Sequence, residues 1–368
     1  IVDDQRNGSR LKFQNISLGL RRPSSGGIAV RLAEEGKNAW SLKAVVGAPS
    51  DGVRAVELTA DKVPVRNIIL ALRLKELHYT ADLPLSGQIR GEIGRDGLPT
   101  FMTGKVSLGA GQVIDLDTPD YPMDIDAAEL SIDWDAGRRV MVAPFQVVSG
   151  ANRVTLLANM EPPNDAVPNW QLTLSGGTIL FGPQRTGDEP LIFNRIAVRF
   201  RFDTDNRRVL LTQADFSNGE ISIAGSGTID YTGEPRLTLG LAGTPMPASA
   251  LKRIWPIIIV PEVREWIIER VDKGTLQRME IAVNSPVRNL SRSGPPIPDD
   301  GLAINFVASN VAIHPVDEIP GFHDADLRAR VTGRTATINI GQGLVDTAAG
   351  RRLTISDLVF EIPDFVPK

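Results

Sequence analysis

Hydrophobic and polar residues alternate strictly over short runs of this chain. In the segment 194–203, NRIAVRFRFD, Ile196, Val198, Phe200 and Phe202 fall at every second position, and Arg195, Arg199 and Arg201 fall between them. Side chains alternate across a strand, so this spacing predicts a half-buried strand with an aliphatic face and an arginine-rich wet face. The same grammar recurs at Ala128, Leu130, Ile132 and Trp134, at Trp170, Leu172 and Leu174, and at Leu237, Leu239 and Leu241. It returns at Leu302, Ile304 and Phe306, and at Leu327, Ala329 and Val331. Turn signals separate the runs: DAG after Trp134, PPND before Trp170, SNG before Ile221 and TGEP before Leu237. Roughly 20 strands joined by hairpin-length loops follow from this spacing, an antiparallel meander.

A weak internal repeat accompanies the alternation. DWDAGRRVMVAPFQVVSG (133–150) and DTDNRRVLLTQADFSNG (203–219) share a D-x-D turn, an Arg-Arg-Val start and a final glycine. Gly150 and Gly219 are 69 positions apart, and a third copy ending at Gly350 falls near twice that period further on. A repeat of this length favours an array over a compact sandwich.

Helical periodicity is confined to 248–274. In LKRIWPIIIVPEVREWIIERVDKG, Pro261 suits a first helical position, with Glu262 and Glu265 at the positive end. Arg270 and Lys273 suit the negative end, and Gly274 a C-terminal stop. Val263, Trp266, Ile267 and Val271 fall on one face at helical spacing, which predicts a docked helix with Trp266 as its anchor and Trp255 beside it. A shorter helix is expected over 248–254. The organisation expected is a repetitive β-groove over 1–247, a helical insertion over 248–274 and a continuing β-groove over 275–368. Its best linker is RNLSRSGPPIPDDG at 288–301.

Composition narrows the chemistry. The 368 residues carry 40 basic and 44 acidic side chains, a net charge of −4, so no global field attracts nucleic acid. With no cysteine, disulfides, thiolate metal sites and cysteine nucleophiles are excluded. Three histidines, His78, His314 and His323, are little material for a metal cluster or a histidine-based catalytic site. The acidic stretch DLDTPDYPMDID (115–126) lacks the calcium-loop pattern and is broken by Pro119 and Pro122. Asp124 and Asp126 are therefore expected on the wet face of a strand. Asp133, Asp135, Asp203 and Asp205 are expected to cap hairpin turns. GSG at 225–227 reads as a strand interruption. No nucleophile elbow, phosphate loop or dinucleotide fingerprint occurs, so the expectation is no enzyme, no cofactor and no metal. The start IVDDQRNGSR has neither a basic beginning nor an apolar core, and no run reaches the roughly 18 to 20 apolar residues of a spanning helix.

The block LKRIWP…PEVREWIIERVDKGTLQRMEIAVN, with Arg264, Trp266 and Gly274, resembles the AsmA-like, YhdP-type family of bacterial envelope proteins. The segment SGQIRGEIGRDGLPTFMTGKVSLGAGQVIDL (86–116), followed by YPMDIDAAELSIDWD, is similar to that family's repeating strands. The resemblance implies an elongated, mainly β fold: an antiparallel meander curled into an apolar-lined groove. Stacking roughly 20 strands at ~4.8 Å would make such a groove on the order of 90 to 100 Å long. It also implies a periplasmic, non-catalytic lipid-transfer module, anchored to the inner membrane by an N-terminal segment, that moves phospholipid between inner and outer membranes. The candidate lining residues are Trp170, Leu172, Leu174, Ile196, Val198, Phe200, Phe202, Ile221, Ile223, Leu237, Leu239, Leu302, Ile304 and Phe306. Three other readings stand beside it: a dry sandwich core, an enzyme on a β-solenoid, and an envelope assembly factor offering sheet edges to outer-membrane proteins.

Overall fold

The computed structural model describes residues 2–4, 9–11, 16–24, 26–71, 79–183, 189–255, 261–291, 293–314, 320–346 and 350–364. Strands make up 66% of the described residues and helices 8%, which places the chain in the mainly β class. The chain divides into two units, residues 1–179 and 180–368.

The first unit holds β1 (Val2–Asp4), β2 (Ser9–Leu11), β3 (Ile16–Arg21), β4 (Ile28–Glu34), β5 (Trp40–Val46) and β6 (Arg54–Pro64). After helix α1 (Val65–Ala71) come β7 (Tyr79–Asp82), β8 (Pro84–Ile93), β9 (Pro99–Leu108), β10 (Gly111–Asp115) and β11 (Met123–Ile125). Then follow β12 (Ala127–Asp135), β13 (Val140–Ser149), β14 (Asn152–Glu161) and β15 (Trp170–Phe181). The second unit holds β16 (Leu191–Phe193), β17 (Arg195–Asp203), β18 (Arg208–Ser217), β19 (Ser222–Asp230), β20 (Arg236–Gly243) and β21 (Met246–Pro247). After helices α2 (Ala248–Ile254) and α3 (Pro261–Arg270) come β22 (Val271–Pro286), β23 (Leu302–Ile313), β24 (Phe322–Thr332), β25 (Ala336–Asp346) and β26 (Arg352–Ile362).

Twenty-one strands belong to an antiparallel sheet that is not closed into a barrel. In the first unit the order is β3-β4-β5-β6-β8-β9-β12-β13-β14, a meander broken between β6 and β8 and again between β9 and β12. There β7, β10 and β11 leave the ladder and form a small three-stranded sheet of their own. In the second unit the order is β17-β18-β19-β20-β22-β23-β24-β25-β26.

Turn chemistry explains where the hairpins close. The Asp135 carboxylate accepts a hydrogen bond from the Arg138 amide at 3.0 Å, and Asp203 accepts one from the Asn206 amide at 3.0 Å. Each turn ends on an arginine in the left-handed region, Arg139 and Arg207, both at φ 53°. These two arginines are 68 positions apart, so the structural repeat pairs Asp135 with Asp203. Asp133 lies inside β12 and accepts from the Thr103 hydroxyl at 2.8 Å, which corrects its reading as a turn cap. The three repeat glycines each follow a strand at positive φ: 56° at Gly150, 95° at Gly219 and 74° at Gly350.

Dry cores are small and local. In the first unit, Ile68 of α1 packs on a cluster of Trp40, Ala60 and Val63. The small sheet contributes Ala81 and Ile125 to a second cluster, with Leu83 and, from the large sheet, Leu108 and Val147. In the second unit, Val311, Ile313, Phe322, Ala325, Ile340 and Val345 form a buried cluster across β23, β24 and β25. No helix among the described residues is long and apolar enough to cross a membrane.

Candidate functional site

Residues opposed across a ladder share a face, so the register sorts every side chain of the second unit onto one of two surfaces. One row runs Ile196–Phe216–Ile223–Gly243–Met279–Phe306–Ala329–Ile338–Phe360, from β17 to β26. The next runs Val198–Ala214–Gly225–Leu241–Ile281–Ile304–Val331–Ala336–Ile362. A third runs Phe200–Leu211–Gly227–Leu239–Val283–Leu302. Not one charged residue stands in these rows.

The opposite surface carries Arg195, Arg199 and Arg201 on β17, Asp215 on β18, Glu280 on β22, and Arg328 and Arg330 on β24. Directly opposed charges pair there, as between Arg208 and Asp230 at 2.8 Å. A surface depression of about 640 Å³ is lined by Ser226, Thr228, Thr238 and Ala282 of this surface and also by Leu211, Gly227, Leu239 and Val283 of the third aliphatic row.

The sequence candidates of the second unit converge on the aliphatic surface. Ile196, Val198, Phe200, Phe202, Ile223, Leu237, Leu239, Leu302, Ile304 and Phe306 all lie on it by register. Ile221 precedes β19 and is buried to 4% exposure. Trp170, Leu172 and Leu174 alternate along β15 and are half-buried. Ile196 and Val198 are buried, but Phe200, Phe202, Leu237, Leu239, Leu302, Ile304 and Phe306 are only half-buried. Inward residues of a two-sheet sandwich would be dry. Met279, Ala214 and Ala336 of the same rows are buried as well.

Glycines shape the same surface. Side chains built at Gly225 and Gly227 would meet Leu241 Cδ2 at 2.3 Å and Leu239 Cδ1 at 3.1 Å. The strand β19 runs unbroken through them, so GSG is not an interruption: two cross-strand leucines fold over the bare backbone. The first unit repeats the pattern, with Gly87 opposite Val106, Gly91 opposite Met102 and Gly104 opposite Ile89. Its aliphatic rows run through Leu18, Leu32, Leu42, Ala60 and Gly87, and through Val106, Leu130, Phe145 and Leu156. Leu32, Leu42 and Ala60 belong to the cluster that α1 covers, so one end of that surface is capped.

The helical block departs from expectation. Trp266 is 40% exposed, so it is not the buried anchor that its spacing predicts. Helix α3 ends at Arg270 and Val271 already belongs to β22, which removes one residue from the proposed helical face; Gly274 lies inside the strand and stops no helix. The side chain of Val263 lies outside the described residues. What ties the end of α3 is Lys252 of α2, 6% exposed, whose ammonium donates to the carbonyls of Ile268, at 3.1 Å, and Val271. A cation at the carbonyl end of a helix is favoured by the dipole: Arg270 stands in the last turn of α3 as its position predicts, Lys273 lies beyond the helix in β22, and Lys252 reaches the same end from α2. Lys273 reaches Asp324 at 3.2 Å. Trp255 is half-buried, and its carbonyl accepts from Arg264 Nε at 2.9 Å.

The acidic and histidine candidates resolve into local contacts. Asp124 lies on the small sheet's β11 and accepts from the Gln112 amide nitrogen at 2.9 Å; Asp126 lies outside the strand and accepts from the Gly150 amide at 2.7 Å. His314 pairs with Asp272 at 3.0 Å. His323 lies between Asp324, at 2.8 Å from Nδ1, and Asp346, at 3.0 Å from Nε2. Hydrogen bonding to Asp324 and then to Asp346 raises the His323 pKa, and the same bonds help to lower both carboxylates. His78 lies outside the described residues. Among the described residues no group of three or more His, Asp or Glu side chains is placed to hold a metal ion.

No protein-family model matches the sequence, and no curated protein or solved structure matches it either.

Proposed function

We propose that the aliphatic surface binds phospholipid acyl chains and that the chain is a non-catalytic lipid-transfer module of the bacterial envelope. The observation that carries this reading is the half-buried state of an uncharged surface continuous across nine strands of the second unit. Such a surface left to water is unfavourable, and monomeric proteins rarely expose apolar patches of more than a few hundred Å². An acyl chain laid along the rows would be stabilised by roughly 0.8 kcal/mol per methylene removed from water. Headgroups would remain in solvent, so a phospholipid fits the surface better than a wholly apolar ligand. Resemblance of the Arg264–Trp266 block to AsmA-like proteins supports the same reading. It suggests a periplasmic location, inner-membrane anchorage and exchange between inner and outer membranes.

A second reading, an assembly factor offering sheet edges to envelope proteins, is supported by the exposed strands β3 and β26. Extraction of the purified chain followed by mass spectrometry of bound lipid separates the two. The lipid-transfer reading expects phospholipid in stoichiometric or higher amount. A lipid-free protein that stays folded and monodisperse would contradict it.

A further inference from the structure

We propose that His323 is a proton-dependent clasp that closes one end of the seam between β24 and β25. Along most of that seam the ladder is regular, from Val331–Ala336 to Leu327–Ile340. It is then interrupted: Asp324, Ala325 and Asp326 face Gly341, Gln342 and Gly343 without ladder pairs, and Asp324 enters the left-handed region at φ 52°. Beyond the gap only Phe322–Val345 and His323–Leu344 pair. Each strand end is held on its other side. Val311–Ala325 and Ile313–Phe322 tie β24 to β23, and the β25–β26 ladder runs on to Asp346–Arg352. Opening therefore separates two intact strand pairs at a short, weakly laddered end.

The chemistry of the clasp follows from its geometry. His323 Nδ1 is 2.8 Å from Asp324 and Nε2 is 3.0 Å from Asp346. An ionised carboxylate only accepts, and a neutral imidazole carries one N–H, so both contacts need the imidazolium. Lys273 of β22, 3.2 Å from Asp324, and Arg352 of β26, 3.0 Å from Asp346, favour the ionised form of both carboxylates. Asp326 adds a further acidic charge on β24, while His314, just after β23, and Asp272 of β22 pair with each other at 3.0 Å. When the ring releases its proton to solvent, one carboxylate is left facing a nitrogen lone pair and that link is lost. Hydrogen bonding to Asp324 and Asp346 raises the His323 pKa. The clasp is thus fully present below the ordinary histidine value and is lost as the pH rises through the folded one.

The clasp sits over a dry end of the aliphatic surface. Phe322 and Val345, the outermost ladder pair, belong to the buried cluster of the second unit. Ala308, Leu327 and Ile340 of the same cluster stand one row beyond Phe306, Ala329 and Ile338. An open seam would add Phe322 and Val345 to that surface. This consequence alone rests on the lipid-binding reading; the clasp does not.

Hydrogen exchange of the full chain, read by mass spectrometry and corrected for intrinsic rates, tests the clasp between about pH 5.5 and about pH 8.5. Over that range the amides of 321–324 and 343–346 should lose protection by ~3- to 10-fold, as expected for one charge-assisted contact at a partly exposed site. Amides of 328–331 and 336–339, on the regular part of the seam, should not change. The loss should share its midpoint with the His323 ring titration followed by NMR. In His323→Gln the seam should exchange at the faster rate at both pH values. Asp346→Asn separates the clasp from general stability. The amide introduced there can accept from Arg352 and donate to a neutral ring, so the seam should stay protected at both pH values. Protection that is independent of pH in the parent, a loss spread evenly over the second unit, or an Asp346→Asn seam as pH-sensitive as the parent would each overturn the proposal. Protection is read on the purified chain, so a failure of the lipid-binding reading leaves this result intact.

Discussion

Replacing Lys252 with methionine tests what holds the helical block. Met refills most of the buried volume while removing the ammonium, so the change isolates the hydrogen bonds from the packing. Lys252 is 6% exposed and donates to the carbonyls of Ile268 and Val271, at the junction of α3 and β22. A hydrogen bond to a charged group contributes ~1.5–3 kcal/mol, and a carbonyl left buried without a partner costs a comparable amount. Some relaxation towards water is expected at a helix end, so the two carbonyls together should cost ~2–4 kcal/mol. Near ~2–4 °C per kcal/mol, appropriate to a unit of this size, the melting temperature should fall by ~4–16 °C. Trp266→Ala, by contrast, removes an indole that is already 40% exposed. It should cost under ~2 kcal/mol, against the ~3–5 of a fully buried aromatic. The assay is urea unfolding of both variants followed by circular dichroism and tryptophan emission. If Trp266→Ala destabilises more than Lys252→Met, the account of α3 is wrong and the anchor assigned by periodicity is restored.

Phe200→Glu should lower bound phospholipid at least tenfold, whereas Arg199→Glu, one residue away on the other surface, should leave it unchanged; lipid per folded molecule is read by mass spectrometry. Gly225→Val should both destabilise the second unit, by ~1–3 kcal/mol for overpacking against Leu241, and disturb lipid binding, checked by melting and lipid content together. His323 contributes stability that is fully present below its usual pKa of 6.5 and is lost as the pH rises through its raised folded value. The lowered carboxylates of Asp324 and Asp346 contribute stability that is present above the ordinary carboxylate range and is lost as the pH falls through their folded values. Urea midpoints of the parent should therefore decline above pH 6.5, and in His323→Gln that decline should be smaller.

The fold class was legible because each strand carries its own period-two record. Ile196 to Phe202 and Leu237 to Leu241 announce their surface without reference to any neighbour. Strand β18 was harder to read. Val209 and Leu211 alternate, then the bulge at Thr212 and Gln213 shifts the phase before Ala214 and Phe216, so the run looks irregular although all four side chains share the surface. Strand β19 was masked differently, since Gly225 and Gly227 contribute space to leucines of β20 and no hydrophobic signal of their own. Nor could local spacing reveal that β7, β10 and β11 leave the meander, because that depends on packing of Ala81 and Ile125 against Leu108 and Val147. The helical block misled for a related reason. Periodicity records which residues lie on one side of a helix, not whether anything covers that side. Trp266 had the spacing of an anchor, while the buried contact came from Lys252, a residue that composition assigns to the surface.

The most direct test of the central claim is photo-crosslinking at adjacent positions of one strand. A benzophenone side chain at Phe306 would stand on the aliphatic surface, and one at Val307 on the other. Irradiated in cells and analysed by mass spectrometry, the Phe306 position should yield phospholipid adducts and the Val307 position almost none. Equal labelling at both positions, or none at either in a folded protein, would contradict the assignment of that surface to acyl chains.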